Sequence, residues 1–193
     1  HVVIEMAPPE MPAAGVTIKD KIKSGAIPSE FISSVKDGIM SAAKSGIMAG
    51  YPVTDVDVIL VDGSYHEVDS SEMSFKMAAA IAFSEGLKKA NCILLEPVMD
   101  VEVVVPEEYM GQVIGDLNSR RAKIVSLNTR LNVRVIRAYV PLAEIFNYAT
   151  AVRSLTQGRA SYTMEPSFYA EVPSHISGKI MAGFTSVGSR RGF

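Results

Sequence analysis

Between Ile93 and Met164 the hydrophobic residues alternate between the two-residue period of a strand and the 3.6-residue period of a helix, and this alternation restricts the fold more than any other feature. Ile93–Val105 is an extended run rich in β-branched residues, with Pro97 marking a break or a bulge. Pro106 followed by Glu107 and Glu108 opens a helix, because proline needs no partner in the first turn and acids suit the positive end of the dipole. Met110, Val113, Ile114 and Leu117 give that helix an apolar stripe. Two strands follow, Lys123–Leu127 and Asn132–Val140, joined by a short turn near 128–131. Pro141 opens a second helix with an expected inner face of Leu142, Ile145, Phe146, Ala149 and Val152, closed by Gly158. A last strand is expected at Arg159–Met164. The order β-α-β-β-α-β is the split βαβ, or ferredoxin-like, plan.

The preceding half reads β-β-α-β-α. Val2–Met6 suits a strand ended by Pro8 and Pro9, and Thr17–Lys23 is a weaker strand candidate. Phe31, Ile32, Val35, Ile39, Met40 and Ala43 recur at helical spacing from Ser29 until Gly46 stops the helix. Asp55–Val61 alternates acid and aliphatic as a half-buried strand does. After a polar connection, Asp69 is the expected N-cap, with Glu72 at capping-box spacing, of a helix to about Ala90 carrying Met73, Met77, Ala80, Ile81 and Leu87. The fold class expected is therefore α+β, with two α/β-sandwich domains at 1–92 and 93–172. Residues 173–193 form a tail in which glycines limit any helix, expected to be short after Pro173 and to pack back on the first domain.

Composition narrows the function classes. Hydrophobic residues at 48% and charged residues at 21% are a globular balance, which sets aside a disordered or collagen-like chain. Lys and Arg total 19 against 21 Asp and Glu, so the chain is no bulk polycation. That near-neutrality hides two windows. Residues 54–73 carry six acids (Asp55, Asp57, Asp62, Glu67, Asp69, Glu72) and no base. Residues 118–137 carry six bases (Arg120, Arg121, Lys123, Arg130, Arg134, Arg137) and no acid.

The single Cys92 permits no internal disulfide, and its apolar neighbours make it a small core residue. No phosphate-loop motif occurs, the three histidines show no metal-ligand spacing, and no nucleophile elbow is present. Gly111 and Gly115 fall inside the helix after Pro106 and are expected to permit close packing or mark irregularity. No apolar run is long enough to span a bilayer and no secretory leader is expected. Starting at His1, directly in a strand, the chain reads as a piece of something longer.

The acidic window is explained by strand alternation and capping better than by a metal. His66, at the centre of GSYHEVDSSE (63–72) beside Tyr65, has no core-packing reason, and spacing alone leaves it an ordinary surface histidine. The basic window is equally a phosphate-binding surface or a solvated sheet and helix end. With Tyr139 as the one aromatic of Asn132–Val140, stacking of single-stranded RNA on the sheet is disfavoured.

The motifs AGYPV (49–53), GSYHEVDSSE (63–72), FKMAAAIAF (75–83), LLEPVMDVEV (94–103), VIGDLNSRR (113–121), FNYAT (146–150) and RSLTQGRASYTME (153–165) occur in one order over nearly the whole chain. In them the sequence resembles bacterial-type elongation factor G, specifically its fourth and fifth domains. The resemblance implies a ribosomal translocation factor whose fourth domain is an arm entering the A site of the small subunit, with ribosome, tRNA and mRNA as partners. It implies that Ser64, Tyr65, His66 and Glu67 form part of the arm's tip, His66 standing at the functional tip position. It implies ribosomal RNA contact by Arg120, Arg121, Lys123, Gly158 and Arg159 in the fifth domain. It also implies that the GTPase, with its GTP and magnesium, lies in N-terminal domains outside this chain, which itself needs no cofactor and has no catalytic site. Cytoplasmic location, a monomer and no membrane follow from the same resemblance. A recycling paralogue of the family shares these features. From another class, the βαββαβ half suits a small-ligand regulatory module of a metabolic enzyme.

Overall fold

A computed structural model describes residues 1–10, 15–22 and 25–188, with side chains to residue 184. The chain divides into two compact units, one of residues 1–92 with 175–193 and one of residues 93–174.

In the first unit, β1 (Val2–Ala7), β2 (Val16–Asp20) and β3 (Val56–Gly63) form a sheet of order β1-β3-β2, with β3 antiparallel to β1 and parallel to β2. The β2–β3 crossover is α1 (Ser29–Ser45), and α2 (Glu72–Lys89) follows β3. Val35, Ile39 and Ala43 of α1 and Phe75, Ala79, Phe83 and Leu87 of α2 bury themselves with Val58 and Leu60 of β3. α1 and α2 touch closely at Gly38, where an added Cβ would overlap the Lys76 carbonyl oxygen and stand 3.1 Å from the Ala79 Cβ.

Two details of α2 differ from the sequence reading. Its N-cap is Ser71, whose hydroxyl accepts from the Ser74 amide at 3.2 Å while the Ser74 hydroxyl accepts from the Ser71 amide at 2.8 Å. Asp69 therefore lies before the helix and leaves its carboxylate in the loop. The inward stripe is Phe75, Ala79, Phe83 and Leu87, whereas Met73, Met77 and Ile81 are more than half exposed. Apolar residues occupy both faces of α2, so periodicity alone could not choose between them.

In the second unit, β4 (Leu95–Pro106), β5 (Lys123–Arg130), β6 (Val133–Pro141) and β7 (Ser161–Glu171) make an antiparallel sheet of order β5-β6-β4-β7. α3 (Met110–Ser119) and α4 (Tyr148–Leu155) cover one face, over Val101, Val103, Val105, Ile136, Ala138 and Val140. This is the ferredoxin-like order expected from the periodicity. Pro97 stays within β4, and the irregularity falls next to it, between Val98 and Met99 where β7 pairs.

β7 runs to Glu171, well past the expected Met164, and brings Phe168 onto the sheet. Phe146 is 67% exposed, and Tyr148, 1% exposed, takes the inward position instead. The cause is a 3-10 turn at Leu142–Glu144 and a left-handed Asn147, which shift the helical phase after Pro141. Gly111 and Gly115 have open space where a Cβ would be, so neither serves close packing. The tail forms α5 (Ser174–Gly188), longer than its glycines suggest, and Phe184 reaches within 3.4 Å of a Cβ position at Gly50. The remainder of the tail lies outside the described residues.

Candidate ribosome-contacting surfaces

The loop between β3 and α2 carries Ser64, Tyr65, His66 and Glu67, all exposed. Its backbone is pinned at both ends. Gly63 leaves β3 where a Cβ would come within 2.6 Å of the His1 carbonyl oxygen, so no larger residue fits. The Ser64 amide donates to that same carbonyl at 3.1 Å. Further on, the His66 amide donates to the Ser70 hydroxyl at 3.0 Å and the Ser70 amide to the His66 carbonyl at 3.0 Å. These reciprocal bonds close a tight turn that presents the imidazole to solvent.

Tyr65 leans on the Phe31 ring at 6.2 Å between centroids, and Phe31 stacks at 4.9 Å on the buried Phe75. The tip is thus braced through an aromatic chain to the core of its own unit. A recess of about 270 Å³ beside it includes Ser64, His66, Asp69, Ser70 and Ser74, with Phe75 and Ala78.

Of the six acids in this window, Asp57 alone has an ion pair among the described residues, with Lys19 at 3.6 Å. The tip is accordingly acidic as well as exposed. Among the described residues no group of three His, Cys, Asp or Glu side chains is placed to hold a metal ion.

The basic window behaves otherwise. The Arg120 Nε donates to Asp116 at 2.8 Å, its Nη1 donates to the Glu144 carbonyl at 2.8 Å, and the guanidinium lies 5.2 Å from the Tyr148 ring centre. Arg121 pairs with Glu96 and reaches Glu144 at 3.5 Å, and its Glu96 partner raises its already high pKa further. Arg134 pairs with Glu107, and the Arg137 Nε donates to both Asp100 carboxylate oxygens, at 3.0 and 3.1 Å. Lys123 and Arg130 take part in none of the ion pairs among the described residues.

Residues 93–174 hold eight Lys and Arg against nine Asp and Glu. The second unit is therefore not basic, because the acids that answer the arginines come from β4, α3 and the turns beside them. Nor do the expected contact residues share one patch. Arg120, Arg121 and Lys123 sit at the Glu96 end of the sheet. Gly158, in the left-handed region at φ 77°, and Arg159 sit at the Pro106 end, where Arg159 pairs with Glu108 at 2.8 Å and packs on Tyr109. The ends are roughly 30 Å apart along β4 at 3.3–3.4 Å per residue. Tyr139 is the one aromatic of its own strand, and the extension of β7 beyond Met164 sets Phe168 edge-on against it at 5.1 Å.

Residues 1–91 match the family model for elongation factor G, domain IV, and residues 93–180 match that for the elongation factor G C-terminus. The chain belongs to the elongation factor G family. A crystal structure of a Thermus thermophilus protein superposes with a TM-score of 0.85 at 38% identity, over 96% of this chain and 27% of that one. The chain thus spans about a quarter of that relative's length. For an elongation factor G chain, the β3–α2 loop lies in domain IV, and the two ends of the antiparallel sheet lie in the C-terminal domain. Membership leaves no ground for the metabolic regulatory module. No helix among the described residues is long and apolar enough to cross a membrane.

Proposed function

We propose that this chain is the ribosome-engaging part of a translocase, and that its β3–α2 loop enters the A site of the small subunit beside tRNA and mRNA. One observation carries the reading: His66 and Tyr65 are exposed at the end of a loop braced by the His66–Ser70 bonds and the Phe31–Phe75 stack. A braced loop of this kind loses little freedom when it engages a partner, so its contacts are not offset by ordering the loop.

An acidic tip gains nothing from phosphate attraction, so its contacts are short-range hydrogen bonds from Ser64, Tyr65 and His66, with Glu67 beside them. Electrostatic contact with ribosomal RNA falls to the C-terminal domain. There Lys123 offers a cation with no carboxylate partner among the described residues, while Arg120, Arg121 and Arg159 contribute only donors left over from their internal pairs, and Gly158 lets backbone approach closely. GTP and magnesium belong to domains outside this chain, and the working compartment is the cytoplasm, with the factor acting as a monomer.

The test is single-turnover translocation by the full-length protein carrying His66→Ala. Slower movement at unchanged ribosome binding supports the reading, and an unaltered rate rejects it. The recycling alternative predicts instead that subunit splitting, not translocation, responds to the substitution.

A further inference from the structure

We propose that Phe146 is a stacking platform for one unstacked nucleobase of a structured RNA, an inference that rests on the ribosomal reading above. Phe146 is 67% exposed although the residues around it are anchored: Ile145 is 4% exposed and Tyr148 1%. The left-handed backbone of Asn147, at φ 61°, turns the chain between those two anchors and leaves the intervening ring outside.

The surrounding backbone is fixed. The Ile145 amide donates to the Leu142 carbonyl at 3.2 Å, and the Tyr148 amide to the Ile145 carbonyl at 3.1 Å. The Thr150 and Ala151 amides both donate to the Asn147 carbonyl, at 3.1 and 3.2 Å. Arg120 Nη1 holds the Glu144 carbonyl at 2.8 Å. A ring presented on so rigid a loop loses little freedom when it stacks.

The rim of the ring selects the partner. Its exposed neighbours in the chain, Ala143, Asn147 and Thr150, are small or polar, so the ring is the one large exposed apolar side chain of this stretch. That area suits a single base, whereas a protein hot spot needs a contiguous apolar cluster. Asn147 offers both a donor and an acceptor for a base edge. The Arg121 guanidinium contacts Glu144, and Lys123, the first residue of β5 at the same end of the sheet, is exposed and in no ion pair among the described residues, which offers a cation to RNA held at this end.

The 193-residue chain has no tryptophan, so Phe146→Trp gives a fluorophore at this position alone. Binding of purified vacant ribosomes is expected to quench that emission, and full occupancy with unchanged emission overturns the proposal. Phe146→Ala is expected to keep the thermal stability of the parent and weaken ribosome binding roughly 10- to 100-fold, the range expected for loss of one aromatic–base stack. In chemical footprinting, one ribosomal RNA base protected by the parent is expected to become reactive with Phe146→Ala. An equal Kd and an identical footprint overturn stacking while leaving the ribosomal reading intact. Phe146→Leu binding as tightly as the parent identifies an apolar protein pocket instead and likewise overturns it. Failure of the full-length protein to bind ribosomes at all removes the ribosomal reading and this one together.

Discussion

The Arg121 guanidinium closes on the Glu96 carboxylate, with Nη1 3.2 Å from Oε2, and so ties the turn after α3 to the start of β4. Arg121 itself sits at φ 60° to make that reach. The pair sits where the basic motif leads one to expect an open phosphate site, and its effect is on stability first.

Arg121→Ala leaves the Glu96 side chain, 12% exposed, without its cation. Losing a charged partner at such a site costs about 1–3 kcal/mol. Urea unfolding should show that loss, while the dependence of log Kd on log salt for ribosome binding changes by less than the full unit expected of a free cation. Lys123→Ala should do the reverse, reducing the salt slope by about one and leaving the urea midpoint in place.

Gly38 and Gly111 make a matched pair of helical glycines. At Gly38 a methyl group meets the Lys76 carbonyl, so Gly38→Ala must push α1 and α2 apart, an overpacking cost of about 1–3 kcal/mol. At Gly111 a methyl group meets open space, so Gly111→Ala should stabilise by roughly 0.5–1 kcal/mol through backbone entropy. Thermal melts of the two variants should move in opposite directions.

The Tyr148 hydroxyl is buried and has no hydrogen-bond partner among the described residues, and burial first, then Asp116, raises its pKa above the ordinary phenol value. Tyr148→Phe removes an unsatisfied oxygen and keeps the edge-on contact with Tyr162 at 5.1 Å. The variant should be as stable as the parent or more stable by about 1 kcal/mol. A fall in the urea midpoint would mean that the hydroxyl has a role in the folded state.

Asp100 is held below the usual carboxylate range, chiefly by its hydrogen bonds from Arg137 and then by the charge itself, against an opposing effect of burial. A carboxyl group whose folded pKa is depressed adds stability above its unfolded value near 3.9, and loses it as pH falls through the folded value. The parent should therefore lose stability below about pH 4 more steeply than Asp100→Asn. Urea midpoints between about pH 2 and 6 read the difference, and parallel curves would exclude Asp100 as a contributor.

The second unit's βαββαβ order was legible because β-branched runs, Pro106 and Pro141 each act within a few residues, and local signals of that kind need no tertiary partner. The tip loop was legible for the same reason: GSYHEVDSSE is polar between two periodic segments, and its exposure follows from that. What escaped was every choice between two apolar faces. Met73, Met77 and Ile81 offered α2 a stripe as regular as Phe75, Ala79 and Phe83, and packing against α1 and β3 selected the latter. Phe146 lost its inward place to Tyr148 through one left-handed residue.

Charge escaped most completely. The sequence by itself determined that acids and bases fall in separate windows, that the loop before α2 is acidic and that two α/β units follow one another. Only the tertiary structure decided that four of the six bases in the basic window, Arg120, Arg121, Arg134 and Arg137, pair with carboxylates. Glu96, Asp100 and Glu107 lie before it in the chain and Glu144 after it, yet sheet pairing and the turns bring them against Arg121, Arg137 and Arg134. Coulomb attraction depends on distance in space, and a linear sequence does not contain that distance until the strands have paired.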